Sequence, residues 1–336
     1  MSGHNGRRLA LVLIVALLVI PALAGCSQGS DKITVYTAKE QEEVAEFIPA
    51  AEEATGLEIE VLRLSTGDLT ARLLAEKDNP QTDAIWGTAA SSMMIFDNEG
   101  MLEPYAPEGV EEILPRFKSP KDPPTWVGVD AYINAICFNT DLGEQLGLPQ
   151  PMTWEDLLDP VYEGQIVMPD PSASGTGYMF VSAAVQGMGG WEYLEALDEN
   201  MAMYTKSGSK PCKMAGAGEY AVGLSFAFVG AGLKEDGAPI EFVVPNPTGY
   251  EVEANALMKG AKNPEAAKKF LDWAISDEAM NLYAKYFAVL AKPGFPAPAG
   301  MPADAVDRLY PVDFGVMASD RDSVLSEWTA RFGGAE

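Results

Sequence analysis

KITVYTAKEQEEVAEFIPAAEEATGLEIEVLRLSTGDLTARLLAEKDNPQTDAIWGTAASS, residues 32–92, takes the chain through three strand-to-helix steps in one run. Lys32 to Thr37 is β-rich, and Gln41 to Ala54 carries Val44, Ala45, Phe47, Ile48 and Ala51 at helical spacing before Gly56 stops it. Leu57 to Leu64 alternates Leu, Ile, Val and Leu with Glu, Glu and Arg, and Ser65-Thr66-Gly67-Asp68 then opens a helix over Leu69 to Lys77. Asp83 to Gly87 reads as a short buried strand that leads through Thr88 into a helix ending at Asp97. This order predicts a mainly parallel sheet whose ligand crevice lies beyond the carboxyl ends of the strands. Hydroxyl residues stand at all three ends: Thr37, Ser65 with Thr66, and Thr88.

Downstream, residues 103–125 are rich in proline and acids and read as a connection, and Trp126 to Asn139 as a long apolar strand crossing between domains. The pattern restarts with helices at 141–146 and 153–158, the strand Gln165 to Met168, a helix opened by Ser174-Gly175-Thr176-Gly177, and strands near 221–226 and 240–244. Glu251 to Met258 alternates as a returning strand, followed by helices at Pro264 to Ile275 and Asp277 to Tyr286 and by helical C-terminal segments. A chain of 336 residues is long enough for two domains. The expectation is an α/β protein of two lobes, each a mainly parallel sheet flanked by helices, with a hinge of crossing strands. Residues 32–128 and 252–295 form lobe 1, 129–251 lobe 2, and 296–336 a C-terminal helical segment packing on the lobes.

Upstream, Arg7 and Arg8 precede an apolar run from Leu9 to Ala24 that is interrupted by Pro21 and is short for a membrane span. It reads as an export signal over residues 1–25, with a tether over 26–31. Lys and Arg total 23 against 49 Asp and Glu, a formal charge of -26, which argues against a nucleic-acid partner. The single histidine, His4, lies in the leader, so catalytic triads with histidine and histidine metal sites are excluded from the exported chain. Of the three cysteines, Cys26 ends the leader; Cys137 and Cys212 remain as an even pair in an oxidising compartment, read as a disulfide with two buried free thiols as the alternative.

Chemistry is concentrated in hydroxyl-rich, glycine-spaced loops. Asp170-Pro171-Ser172-Ala173-Ser174-Gly175-Thr176-Gly177 follows a strand and opens a helix, so backbone N–H groups and hydroxyls can converge on an anion at the positive end of the helix dipole. Ser207-Gly208-Ser209-Lys210 is a second loop of this kind. Neither is a phosphate loop of the Gly-Lys-Ser/Thr type. Facing the hydroxyls of the first lobe, they outline a two-jawed anion site.

The leader ending in Leu23-Ala24-Gly25-Cys26 resembles a bacterial lipoprotein signal, which implies a lipid on Cys26 and a place on the outer face of the cytoplasmic membrane, in the periplasm or at the cell surface. With it, ITVYTAKE (33–40), EKDNPQTDAIWGTAAS (76–91), GQIVMP (164–169), SASGTGY (172–178), SGSKPCKM (207–214), NPEAAKK (263–269) and LYAK (282–285) resemble the extracellular solute-binding proteins of ABC importers, and more narrowly a 2-aminoethylphosphonate-binding branch related to the ferric-iron-binding proteins. The resemblance covers nearly the whole chain after the leader. It implies the type II periplasmic-binding-protein fold, capture of a small phosphonate by lobe closure, delivery to a membrane permease, no catalysis, no cofactor and no metal, in a monomer that meets the membrane only through its lipid. It also implies a site of Thr37, Glu40, Ser65, Thr66, Thr88, Ser172, Ser174, Gly175, Thr176, Ser207, Ser209 and Phe226.

Many ferric-binding relatives use two adjacent tyrosines near the segment that here reads Gly223-Leu224-Ser225-Phe226-Ala227-Phe228, and some carry a histidine where this chain has Glu40. None of the 12 tyrosines is adjacent to another, and iron(III) favours phenolate and carboxylate oxygens, so a metal-free oxyanion is the better fit. A ligand ammonium needs an acceptor; Glu40, Asp130 and Glu253 are the candidates, with Trp86, Tyr178 and Phe226 as walls for an alkyl linker. Ferric iron, polyamines, phosphate or sulfate, and a secreted enzyme on the same scaffold, stay open as alternatives.

Overall fold

The computed structural model describes residues 32–333, so the leader and Cys26 lie outside the described residues. Three βα units come first: β1 (Lys32–Thr37) with α1 (Gln41–Thr55), β2 (Glu58–Arg63) with α2 (Thr66–Ala75), and β3 (Ala84–Ala89) with α3 (Ala90–Asn98). α1 buries Phe47, Ile48 and Ala51 and ends at Gly56, whose φ of 69° is the left-handed conformation that stops helices at little cost only in glycine. β1 lies parallel between β2 and β3, and the register sets Thr37 beside both Arg63 and Trp86. The carboxyl end of β2 therefore finishes level with that of β1, at the crevice.

The short β4 (Leu102–Glu103) precedes β5 (Val127–Asn139), which is buried along all 13 residues. There follow α4 (Thr140–Leu146), β6 (Ile166–Pro169), α5 (Gly175–Val185), α6 (Gly190–Asp198), β7 (Met201–Thr205), α7 (Lys210–Gly216), β8 (Val222–Phe226), α8 (Ala227–Glu235), β9 (Ile240–Val243) and β10 (Tyr250–Met258). α9 (Pro264–Ala274), α10 (Asp277–Tyr283), β11 (Val289–Leu290), α11 (Phe314–Ser319) and α12 (Arg321–Phe332) complete the described chain.

The strand order is β2-β1-β3-β10-β5-β8-β6-β7. The steps β2-β1-β3 and β8-β6-β7 are parallel, whereas β10 is antiparallel to β3 and β5, and β5 to β8. β5 pairs with β10 from Val127 to Ile133 and with β8 from Asn134 to Phe138, so one strand belongs to both lobes. This is the two-lobed periplasmic-binding-protein fold. One core gathers Phe47, Trp86, Phe270 and Tyr283; the other gathers Trp154, Phe180, Tyr193 and Trp328. The C-terminal segment fastens across them: Phe314 lies 5.3 Å from the Tyr250 ring on β10, and Trp328 lies 5.1 Å from Tyr204 in the second core.

Cys137 of β5 and Cys212 of α7 form a disulfide, both buried, with Cα atoms 5.4 Å apart. It closes a loop of 75 residues, worth roughly 4 kcal/mol by restriction of the unfolded chain. Several elements differ from the sequence reading. The second helix starts at Thr66 and ends at Ala75 rather than spanning 69–77, because Ser65 itself is the N-cap. The helix expected over 153–158 is one 3-10 turn at Glu155–Leu158, in which Asp156 accepts the Met152 and Thr153 N–H groups at 2.8 and 2.9 Å. α10 stops at Tyr283, and α6, β7 and α8 had no counterpart in the reading.

Candidate functional site

Helix starts converge on a cavity of about 40 Å³ between the lobes, room for the centres of about three waters. Lobe 1 contributes Ser65 and Thr66 at the start of α2; Ser65 caps that helix without spending its hydroxyl on a cap bond. Lobe 2 contributes Ser174, Gly175 and Thr176 at the start of α5, with Ser174 Oγ accepting the Gly177 N–H at 3.5 Å. The two starts touch. The Gly67 N–H donates to the Ala173 carbonyl at 3.1 Å, and a Cβ at Gly175 would lie 2.6 Å from Thr66 Oγ1. Gly208 completes this end, its missing Cβ leaving the space 2.2 Å from Thr176 Oγ1. The lobes are thus closed, with hydroxyl residues and the starts of two helices lining one small volume.

Arg63 supplies the one basic side chain lining the cavity among the described residues. Its Nε donates to the Lys39 carbonyl at 3.0 Å and its Nη2 to Glu40 Oε1 at 2.9 Å. Glu40 Oε2 accepts from Ser209 Oγ of the other lobe at 3.0 Å, so Glu40 ties arginine and both jaws together.

The opposite end is acidic. Glu43 and Glu253 line it, and behind them Lys39 is fully buried, its Nζ bonded to Asp130 at 2.8 Å and to Glu253, and 3.1 Å from Glu43 Oε1. The lysine stem runs over Gly87 of β3, where φ is 59° and a Cβ would lie 2.5 Å from the stem, and its ammonium stands over the Tyr283 and Phe287 rings at 4.8 and 4.3 Å. Burial opposes its charge, but Asp130, Glu253 and Glu43 hold Lys39 well above its ordinary value. Burial pushes Glu43 up to about 7 and Asp130 up to about 6, with Lys39 pulling each the other way. Glu253 is raised well above the carboxylate range by burial and by Asp130, its cross-strand partner. Tyr132, Phe226 and Phe228 form the wall between the ends, with ring centroids 6.1 Å apart for the first pair and 4.8 Å for the second.

Of the residues expected from sequence, Glu40, Ser65, Thr66, Ser174, Gly175, Thr176, Phe226 and Glu253 line this cavity. Thr37 and Thr88 do not: Thr37 is buried with Oγ1 accepting the Lys39 N–H at 3.0 Å, and Thr88 is buried in the sheet. Ser172 turns away to Asp170, and Ser207 pairs with Ser209 at 3.2 Å, one layer behind Gly208. Asp130 stands behind Glu253. Trp86 donates to Tyr283 OH at 2.8 Å in the core, and Tyr178 donates to the Met317 carbonyl, so neither walls the cavity. The sequence reading missed Arg63, Glu43, Tyr132 and Phe228, and Lys39 behind them, and of its second loop it is Gly208, rather than Ser207 or Ser209, that lines the cavity. The four-residue spacing of Lys39 and Glu43 was the available signal for that pair. Among the described residues no group of three or more His, Cys, Asp or Glu side chains is placed to hold a metal ion.

This closed, two-lobed arrangement around a small polar volume defines a solute-binding protein. The chain belongs to the bacterial extracellular solute-binding protein family, which it matches over residues 33–281. A probable ABC transporter periplasmic-binding protein of Sinorhizobium fredii, y4fP, is 27% identical over 347 residues, covering 97% of this chain and 93% of the relative. Among solved structures, the periplasmic binding protein AfuA of Actinobacillus pleuropneumoniae, with exogenous fructose-6-phosphate bound, has a TM-score of 0.83 and 28% identity over 90% of this chain and 98% of its own. Iron-bound HitA of Pseudomonas aeruginosa has a TM-score of 0.74 at 18% identity over 88% of this chain and 98% of its own, a likeness of fold. The protein is the substrate-binding component of an ABC transporter, a class that hands small ligands to a membrane permease. No described helix is long and apolar enough to cross a membrane.

Proposed function

We propose that the protein captures 2-aminoethylphosphonate or a similar aminoalkylphosphonate. The observation that supports this is the polarity of the cavity: hydroxyls, helix starts and Arg63 with its partner Glu40 at one end, Glu43 and Glu253 at the other, and aromatic rings between. A phosphonate suits the first end, an ammonium the second and a short alkyl link the rings. Closure over a volume of about 40 Å³ favours a ligand of few atoms. Released from the cavity, the ligand passes to the permease unchanged. A lipid on Cys26 would keep the protein, working as a monomer, at the outer face of the membrane.

A sugar phosphate is the second reading, favoured by the fructose-6-phosphate in the AfuA structure. It shares the phosphoryl group, and its hydroxyls can donate to the carboxylates of the acidic end but bring no positive charge to them. A thermal-shift panel of 2-aminoethylphosphonate, ethylphosphonate, fructose-6-phosphate, inorganic phosphate, spermidine and iron(III) decides between them. A ligand at 100 times its Kd stabilises by roughly 2.7 kcal/mol. The expected result is the largest shift with 2-aminoethylphosphonate; a larger one with fructose-6-phosphate, spermidine or iron overturns the proposal. Phosphate or amine released from the bound phosphonate would instead indicate an enzyme. Mass analysis of the exported protein tests the lipid: an N-terminus other than Cys26, with no acyl mass, removes that part of the proposal.

A further inference from the structure

The acidic end has more negative groups than its resident cation can neutralise. Glu43, Asp130 and Glu253 surround one ammonium, that of Lys39, and no other cationic side chain contacts them among the described residues. The groups facing Glu43 come from every element around it: Lys39 before α1, Asp130 on β5, Glu253 on β10, and Tyr283 and Tyr286 at the end of α10 and just beyond it. Glu43 is 1% exposed and lines the cavity; its Oε1 meets only the shared Lys39 ammonium, at 3.1 Å, while Oε2 accepts the Glu40 N–H at 3.0 Å. Asp130 Oδ1 is buried without a hydrogen-bond partner. Three ionised carboxylates around one ammonium leave buried negative charge that is costly in a water-poor site, and two remedies exist. The cluster keeps a proton, or it receives a second cation.

Resting on the aminoalkylphosphonate reading, we propose that Glu43 is the residue that selects the ligand amine, and that its cluster gives up a proton to solvent as the ligand ammonium takes that proton's place. Charge balances: one proton leaves and one ammonium arrives. The raised positions of Glu43, about 7, and Asp130, about 6, agree with a proton held in the empty site, and the cluster titrates as one unit. Affinity for the amine ligand therefore rises with pH through this range and approaches a limit above it.

The test is titration calorimetry near pH 7 in buffers of different ionisation enthalpy, comparing wild type with Glu43→Gln, which keeps the acceptor for the Glu40 N–H. Ethylphosphonate serves in both proteins to measure the phosphonate's own proton. With 2-aminoethylphosphonate, wild type should release more protons than Glu43→Gln, and the variant should bind on the order of 10- to 150-fold more weakly while ethylphosphonate binding changes little. Equal proton counts in the two proteins, or equal affinity losses for the two ligands, overturn this inference and leave the phosphonate reading standing. Failure of wild type to bind 2-aminoethylphosphonate overturns the reading itself. If Glu43→Gln does not fold, Glu253→Gln in the same experiment reports on the same cluster with the same two outcomes.

Discussion

The two ends of the cavity are built in opposite ways. The hydroxyl end is split between the lobes, with Ser65 and Thr66 on one jaw and Ser174, Thr176 and Gly208 on the other, so it is complete only when the jaws meet. The acidic end is assembled from the β1–α1 connection, α1 and the crossing strands, and Lys39 locks it in the core beneath Tyr283 and Phe287. A split end converts ligand contact into closure, because only the closed state offers both halves. A preassembled end can discriminate before closure. Selection and capture are thereby placed on different residues, and each can be disturbed separately.

The largest effect should come from the preassembled end. Lys39→Met removes the cation from three buried carboxylates and should cost roughly 3 to 5 kcal/mol of stability, read from urea unfolding. Its pH dependence has a definite sign. In wild type, burial pushes the cluster above ordinary carboxylates, Glu43 up to about 7 and Asp130 up to about 6, so the native state binds more protons than the unfolded chain and stability falls as pH rises through that window. Without Lys39 these groups hold protons more tightly still, and the penalty should be largest above pH 7 and smaller at pH 5. An equal penalty at both would mean that the cluster is not held together by charge.

The split end should give smaller losses, confined to binding. Thr176→Val removes one of the hydroxyls proposed to meet the anion; at roughly 1.5 to 3 kcal/mol for a hydrogen bond to a charged group, Kd should rise about 10- to 150-fold, with apo stability little changed. Gly67→Ala probes closure itself. Its Cβ would stand 2.1 Å from the Ser172 carbonyl of the opposite lobe, a clash that exists only when the jaws meet. Overpacking of this kind costs roughly 1 to 3 kcal/mol, so affinity should fall for every ligand alike and small-angle scattering should report a more open protein. Unchanged affinity would mean that ligand is held without the lobes closing this far.

What the sequence made legible follows the same division. Alternation and helical spacing in 32–92 sufficed for the three βα units, and the strand 126–139 announced itself by length and apolarity. β7, half-exposed along Met201–Thr205, and α8, which starts at Ala227 without a polar cap, carry too weak a pattern to be read locally. At the site, hydroxyls next to glycine marked the helix starts of α2 and α5, since that chemistry is local. Thr37 and Thr88 were marked only as hydroxyls at strand ends and are buried in the sheet, because position at a strand end does not say which way a side chain turns. The charged residues were opaque for another reason. In a chain with 49 acids, only the four-residue spacing from Lys39 separates Glu43 from its neighbour Glu42, and the other two partners of Lys39, Asp130 and Glu253, lie 91 and 214 residues away.

The smallest effect should be at the rim. Lys213 of α7 reaches Glu42 of α1 across the cleft at 3.0 Å, beside an outer space of about 530 Å³ that shares Glu40 and Phe228 with the cavity. It crosses between the lobes as the Ser209–Glu40 bond does, and by geometry alone the two are equivalent ties. Solvent separates them: the Lys213 and Glu42 side chains are 43% and 57% exposed, and pairs in water contribute about 0 to 1 kcal/mol. Lys213→Ala should therefore change Kd by less than about fivefold, and the difference should shrink as added salt shortens the Debye length from about 10 Å at 0.1 M to about 3 Å at 1 M. A loss as large as that of Thr176→Val, persisting at 1 M salt, would place the closing force at the rim and remove the reason for assigning capture to the split end.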